Sequence, residues 1–142
     1  MKATELMIGN WVKIKGDYGK PLKITTIDDT YNSINYFDGD AEGELTLQLN
    51  EIEPIPITPE ILEKNGFIRD PLWHHCDKDL DNYSISVQLG YANRIEYIKI
   101  AEKGKDNVIP SERTKLYLTH IKYVHQLQLA LRLCGIEKEI VL

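Results

Sequence analysis

The chain has 142 residues, of which 42% are hydrophobic and 27% charged, with a formal net charge of −5. This balance is that of a globular protein and excludes a disordered chain. Two cysteines, Cys76 and Cys134, are too few for a disulfide scaffold and point to a reducing compartment, although spacing alone leaves a single bridge between them open.

The opening Met1-Lys2-Ala3-Thr4-Glu5-Leu6 lacks the apolar stretch of a secretory signal, and no apolar run approaches the ~18 residues of a membrane span. A cytoplasmic protein with no membrane partner is expected. Charge is segregated along the chain. Residues 1–26 carry five basic and two acidic side chains, and residues 27–63 carry ten acidic and no basic ones. Residues 64–142 carry twelve basic and ten acidic. The acidic stretch repels nucleic acid wherever it is exposed and otherwise reads as a solvated rim.

The first region alternates with period two. Val12 and Ile14 share one face and Lys13 and Lys15 the other, and Leu22 and Ile24 repeat the pattern after the Gly16–Gly19 turn material. This is a β-hairpin pattern. Asp28-Asp29 ends it. Tyr31 to Phe37 reads as a third strand and Leu45, Leu47 and Leu49 as a half-buried fourth. Ile52, Pro54, Ile55, Pro56 and Ile57 make a fifth segment, confined to an edge because proline has no N–H to donate. Five short strands before residue 58 predict a small closed antiparallel barrel, SH3-like first and OB-like second.

Thr58-Pro59-Glu60 starts a short helix that Asn65-Gly66 stops. Residues 67–121 are extended. Tyr83, Ile85, Val87 and Leu89 alternate with polar residues, Gly90–Asn93 turns, and Ile95 to Ile100 returns as a second hairpin. Lys103 to Arg113 reads as a charged loop, and Leu116-Tyr117-Leu118 as one more strand. Val124, Leu127, Gln128 and Leu131 give an amphipathic helix over about Lys122–Cys134, ended by Gly135. Leu129 and Leu133 fall partly off its apolar side, which gives it a second contact, to the barrel or to another subunit. Ile136 to Leu142 is a candidate edge strand.

Signals for chemistry are sparse. His74-His75-Cys76-Asp77 has zinc-binding residue types but no second pair at ligand spacing, and His120 and His125 lie five apart, off one helix face. Asp77, Asp79 and Asp81 occupy the first, third and fifth places of a calcium loop, but Gln88 stands where a bidentate Glu is required. They are weak candidates, and no metal or other cofactor is assigned. A second partial match begins at Asp38, Asp40 and Glu42 and fails at Leu49. No serine or cysteine nucleophile motif and no phosphate loop occurs, so a catalyst is not expected. The outward face of the first hairpin carries Lys13, Lys15 and Lys23, with Trp11 and Tyr18 nearby. Trp11, Lys13, Lys15 and Lys23 are the candidate binding residues, since small barrels bind strands with basic, aromatic faces.

Three strings carry a resemblance: Leu6-Met7-Ile8-Gly9-Asn10-Trp11-Val12, then Glu53-Pro54-Ile55-Pro56-Ile57-Thr58-Pro59-Glu60-Ile61-Leu62, then Tyr123-Val124-His125-Gln126-Leu127-Gln128 leading to Leu131-Arg132-Leu133-Cys134-Gly135. Together they resemble a family of small uncharacterised proteins of gut anaerobic bacteria and their prophages and mobile elements. The resemblance implies a cytoplasmic, phage-related accessory protein and brings no activity or catalytic residue. The expectation is therefore an α+β chain with an SH3-like barrel over 1–57 and an α+β part over 58–142. Its expected role is a non-catalytic module that binds a protein, with nucleic-acid binding as the alternative and a metal-dependent or hydrolytic enzyme as the third reading.

Overall fold

The computed structural model describes residues 1–16, 20–38, 43–72, 74–104 and 112–142, with the side chains of 112 and 113 outside the description. Tyr18 and the Asp17–Gly19 part of the first turn, Asp40 and Glu42 of the second, and residues 105–111 of the charged loop lie outside it. The fold is α+β, built on two antiparallel five-stranded sheets. The chain gathers into two compact units: residues 1–56 with 123–129, and residues 57–122 with 130–142. Among the described residues no helix is long and apolar enough to cross a membrane.

In the first unit the strands are β1 (Trp11–Ile14), β2 (Pro21–Asp28), β3 (Ser33–Phe37), β4 (Glu44–Gln48) and β5 (Ile52–Pro54), in the order β4-β3-β2-β1-β5. β2 serves two partners. Its residues 21–23 pair with β1 and residues 24–28 with β3, the second ladder being interrupted by a bulge at Thr25. A bulge adds one unpaired residue and bends the strand. The inward residues Val12, Leu22, Ile24, Ile34, Tyr36, Leu49 and Ile52 form the core with Leu6. The expected closed barrel does not form: β4 and β5 are the two edges of an open sheet. β5 is only three residues long. The chain beyond it commits its main chain elsewhere, with Pro56 bridging Tyr123 and the Val124 N–H donating to the Ile55 carbonyl at 2.9 Å.

The second unit contains α1 (Pro59–Lys64), β6 (Ile68–Asp70), β7 (His75–Asp79), β8 (Tyr83–Leu89), β9 (Ile95–Lys103) and β10 (Glu112–Thr119), with sheet order β10-β9-β8-β7-β6. β9 and β10 run further than expected, so Lys103, Glu112 and Arg113 belong to strands rather than to the loop between them. Thr58 Oγ1 accepts the Ile61 N–H at 3.3 Å and caps α1. Gly66, at φ +78°, ends it, with Phe67 N–H bonded to the Leu62 carbonyl. Gly135 ends α2 (Val124–Leu133) in the same way at φ +71°, with Ile136 N–H on Leu131. Both are left-handed helix stops that glycine adopts without strain. The C-terminal tail forms no strand. The Asn65 side chain takes the place of a neighbouring strand, donating to the Val141 carbonyl at 2.7 Å and accepting the Val141 N–H at 2.8 Å. Helix α2 is shared: residues 124–129 belong to the first unit and 130–133 to the second.

Candidate functional site

The outward face of β1 and β2 holds most of the candidate binding residues. Trp11 stands opposite Lys23 in the β1–β2 register, and the Lys23 ammonium lies 5.9 Å from the centre of the indole ring. That distance is within cation–π range. Lys13 stands opposite Glu53 of β5 and pairs with it at 2.8 Å. Lys15 donates to the Asn50 carbonyl at 3.1 Å. The alternating pattern therefore places Trp11, Lys13 and Lys23 on one face. The acidic stretch supplies Glu53 to that face, so it is not a purely basic surface.

The N-terminal end of β1 is fixed by Gln128, a buried polar residue of α2. Its Oε1 accepts the Trp11 N–H at 3.0 Å and the Asn10 side-chain amide at 3.4 Å, and its Nε2 donates to the Gly9 carbonyl at 3.0 Å. Gln128 fitted the apolar stripe by spacing alone. Its role as a clamp on main chain 117 and 119 residues away is invisible in that spacing.

Three residues earlier, His125 is buried, and its Nδ1 has no hydrogen-bond partner among the described residues. Its ring lies parallel to that of Tyr123, with centroids 5.8 Å apart. Burial pushes the imidazole below its ordinary pKa, and the Glu5 carboxylate opposes this. Both rings border a cavity of about 460 Å³ with Thr4, Pro54 and Leu129.

The calcium-like aspartates fall on and just after a strand. Asp77 and Asp79 lie on β7, and Asp81 is exposed in the turn that follows. Asp79 pairs with Lys103 at 3.0 Å. Asp77 accepts the Ser86 hydroxyl with one oxygen and meets His75 Nε2 at 2.7 Å with the other. A strand cannot curl these side chains around one ion. No cluster of three His, Cys, Asp or Glu suited to a metal occurs among the described residues.

Ser86, Asp77 and His75 contain the residue types of a hydrolytic triad in an unsuitable order. The carboxylate stands between serine and histidine, so the imidazole has no contact through which to remove the serine proton. Cys76 and Cys134 are free thiols, each raised in pKa chiefly by burial. That is the condition of inert rather than nucleophilic cysteines.

One end of the second sheet differs from the rest. The β6–β7 turn and the β8–β9 turn meet there, with the His74 carbonyl accepting the Leu89 N–H at 2.7 Å. Two large apolar side chains are exposed on these turns, Leu72 at 82% and Tyr91 at 95%, and Ile68, at the start of β6, is 78% exposed. His74, Ala92 and Asn93 there take left-handed backbone at φ +51°, +55° and +57°. Such backbone is uncommon outside glycine and costs roughly 1 kcal/mol or more per residue. This end was read from sequence only as a turn and an extended segment. The signal that could have found it is Leu72 and Tyr91, apolar residues inside polar turn material.

Comparison with protein-family models, with curated proteins and with solved structures finds no match to this chain.

Proposed function

We propose that the chain is a non-catalytic interaction module that binds a protein through the turn end of its second sheet. The observation that carries this reading is the exposure of Leu72 and Tyr91 on two turns joined by a backbone hydrogen bond, with Ile68 exposed on the adjoining strand β6. Exposed large apolar groups on a rigid support are what a protein interface buries. The reactive side chains support the same reading from the other direction. Asp77, Asp79 and His75 are engaged in pairs, and Ser86 faces a carboxylate rather than a base.

In this reading the first unit is an SH3-like sheet, opened where a closed barrel would join β4 to β5. The protein then acts in the cytoplasm as an accessory factor of a phage or mobile element. The second reading, nucleic-acid binding, rests on the Trp11–Lys23 pair. It is weakened by Glu53 on Lys13.

The test is to identify a protein retained by the wild-type chain, purify it, and measure its affinity for wild type and for an Ile68→Ser/Leu72→Ser double variant. Loss of two such side chains from an interface should weaken binding by at least about tenfold, since 1.4 kcal/mol is a factor of ten. Undiminished affinity of the folded double variant would overturn the reading.

A further inference from the structure

We infer that the cavity between the β6–β7 and β8–β9 turns binds a small zwitterion, an α-amino acid with an apolar or aromatic side chain. The cavity measures about 490 Å³ and is bordered by Arg69, His74, Gln88, Tyr91, Asn93 and Glu96 among others. That volume is within the usual range for small-molecule sites.

The charges carry the argument. Elsewhere in this sheet opposite charges on different strands are paired, as Lys103 of β9 with Asp79 of β7 and Lys115 of β10 with Glu102 of β9. Arg69 and Glu96 border one cavity, yet neither is in a salt bridge among the described residues, although the Arg69 charge also acts through space on the Glu60 carboxylate. The Arg69 guanidinium is held in place by a neutral group, with Nη2 donating to Asn93 Oδ1 at 3.1 Å. This leaves other N–H groups of the planar guanidinium for a carboxylate, which it can grip with two parallel hydrogen bonds.

The Glu96 side chain lies over Gly90. A Cβ at Gly90 would clash with Glu96 Oε1 and stand 2.8 Å from its Cγ, so the carboxylate in this position uses space that glycine leaves open. Asn93, which orients Arg69, is itself one of the left-handed residues, and His74 and Ala92 beside it are two more. The backbone strain is thus concentrated where the two charges are set.

Two opposite charges in one cavity, not collapsed onto each other, fit a ligand that carries both. A lone anion would meet repulsion from Glu96, and a lone amine repulsion from Arg69. An α-amino acid offers its carboxylate to Arg69 and its ammonium to Glu96. The Tyr91 ring, almost wholly exposed on the same rim, gives an apolar ligand side chain a surface to cover. The inference does not depend on a protein partner.

The experiment is an amide-shift titration of the full chain with L-phenylalanine, 3-phenylpropionate and phenethylamine. L-Phenylalanine should bind at least about fivefold more tightly than either singly charged analogue, with shifts centred on residues 69 and 88–96, each charge contact being a surface one. Arg69→Gln and Glu96→Gln should each reduce L-phenylalanine to the level of an analogue. Both side chains are exposed, so both variants should keep the wild-type melting midpoint. Gly90→Ala, which displaces the Glu96 carboxylate, should act like Glu96→Gln and stands in for any variant that fails to fold. No binding of any probe by the wild type, equal binding of all three, or shifts centred elsewhere would overturn the inference.

Discussion

Removing the Gln128 side chain should loosen the start of β1. Gln128→Ala breaks the 3.0 Å bonds to the Trp11 N–H and the Gly9 carbonyl and the longer one from Asn10. A stranded buried main-chain group costs about 1–3 kcal/mol, and both Trp11 and Gly9 are only half-buried, so water recovers part of that cost. A net loss of about 2–3 kcal/mol follows, a large share of the ~5–15 kcal/mol that holds a domain together. Gln128→Leu separates the causes. It restores volume but not hydrogen bonds, so it should lose nearly as much. Amide hydrogen exchange at Trp11 is the direct assay, and protection there should fall about thirtyfold or more, at a factor of ten per 1.4 kcal/mol. A change below about twofold in both variants would refute the clamp.

Three further outcomes follow from the same geometry. Burial lowers the His125 pKa below its ordinary value of 6.5, so the folded state prefers the neutral ring. Its stabilising effect is complete above pH 6.5 and is lost as pH falls through the lowered folded value. Urea midpoints across that range should slope accordingly, and His125→Leu should flatten the slope; an unchanged slope would count against the burial argument. In alkylation of the native protein, the half-buried Cys134 should react first and the fully buried Cys76 only in denaturant, as peptide mass analysis can read; early labelling of Cys76 would contradict its placement. Mobility shifts with single- and double-stranded DNA should show no retardation that depends on Lys13, Lys15 and Lys23, because Glu53 neutralises one and Trp11 stacks under another. Binding that weakens with salt and disappears in the Lys→Glu triple variant would favour the nucleic-acid reading instead.

Much of the fold was legible because its signals are local. The alternation around Val12, Leu22 and Ile24, and around Ile85, Val87 and Leu89, placed both hairpins and their inward faces. Thr58 marked a helix start by its capping hydroxyl, and Gly66 and Gly135 marked helix ends by backbone preference. What failed was non-local. Closure of a barrel depends on β4 meeting β5, and nothing in Leu45–Ile57 announces that the chain after β5 pairs with Tyr123 and Val124 instead. β6 was missed because three residues, two of them exposed, carry no period. The candidate residues on β1 and β2 were placed together by alternation, but Lys13 and Glu53 are forty residues apart, so their pairing was invisible. The turn end of the second sheet was hidden for the same reason, since it exists only where two separate turns meet.

The central claim is that a protein docks on that end, and site-specific photo-crosslinking tests it most directly. A photoreactive phenylalanine analogue at Leu72, or at exposed Thr46 on β4 as the control, would be activated in the cells that naturally make the protein. The account predicts one discrete protein adduct at position 72 and none at position 46. No adduct at 72, the same adduct at both positions, or an adduct made of nucleic acid would contradict it.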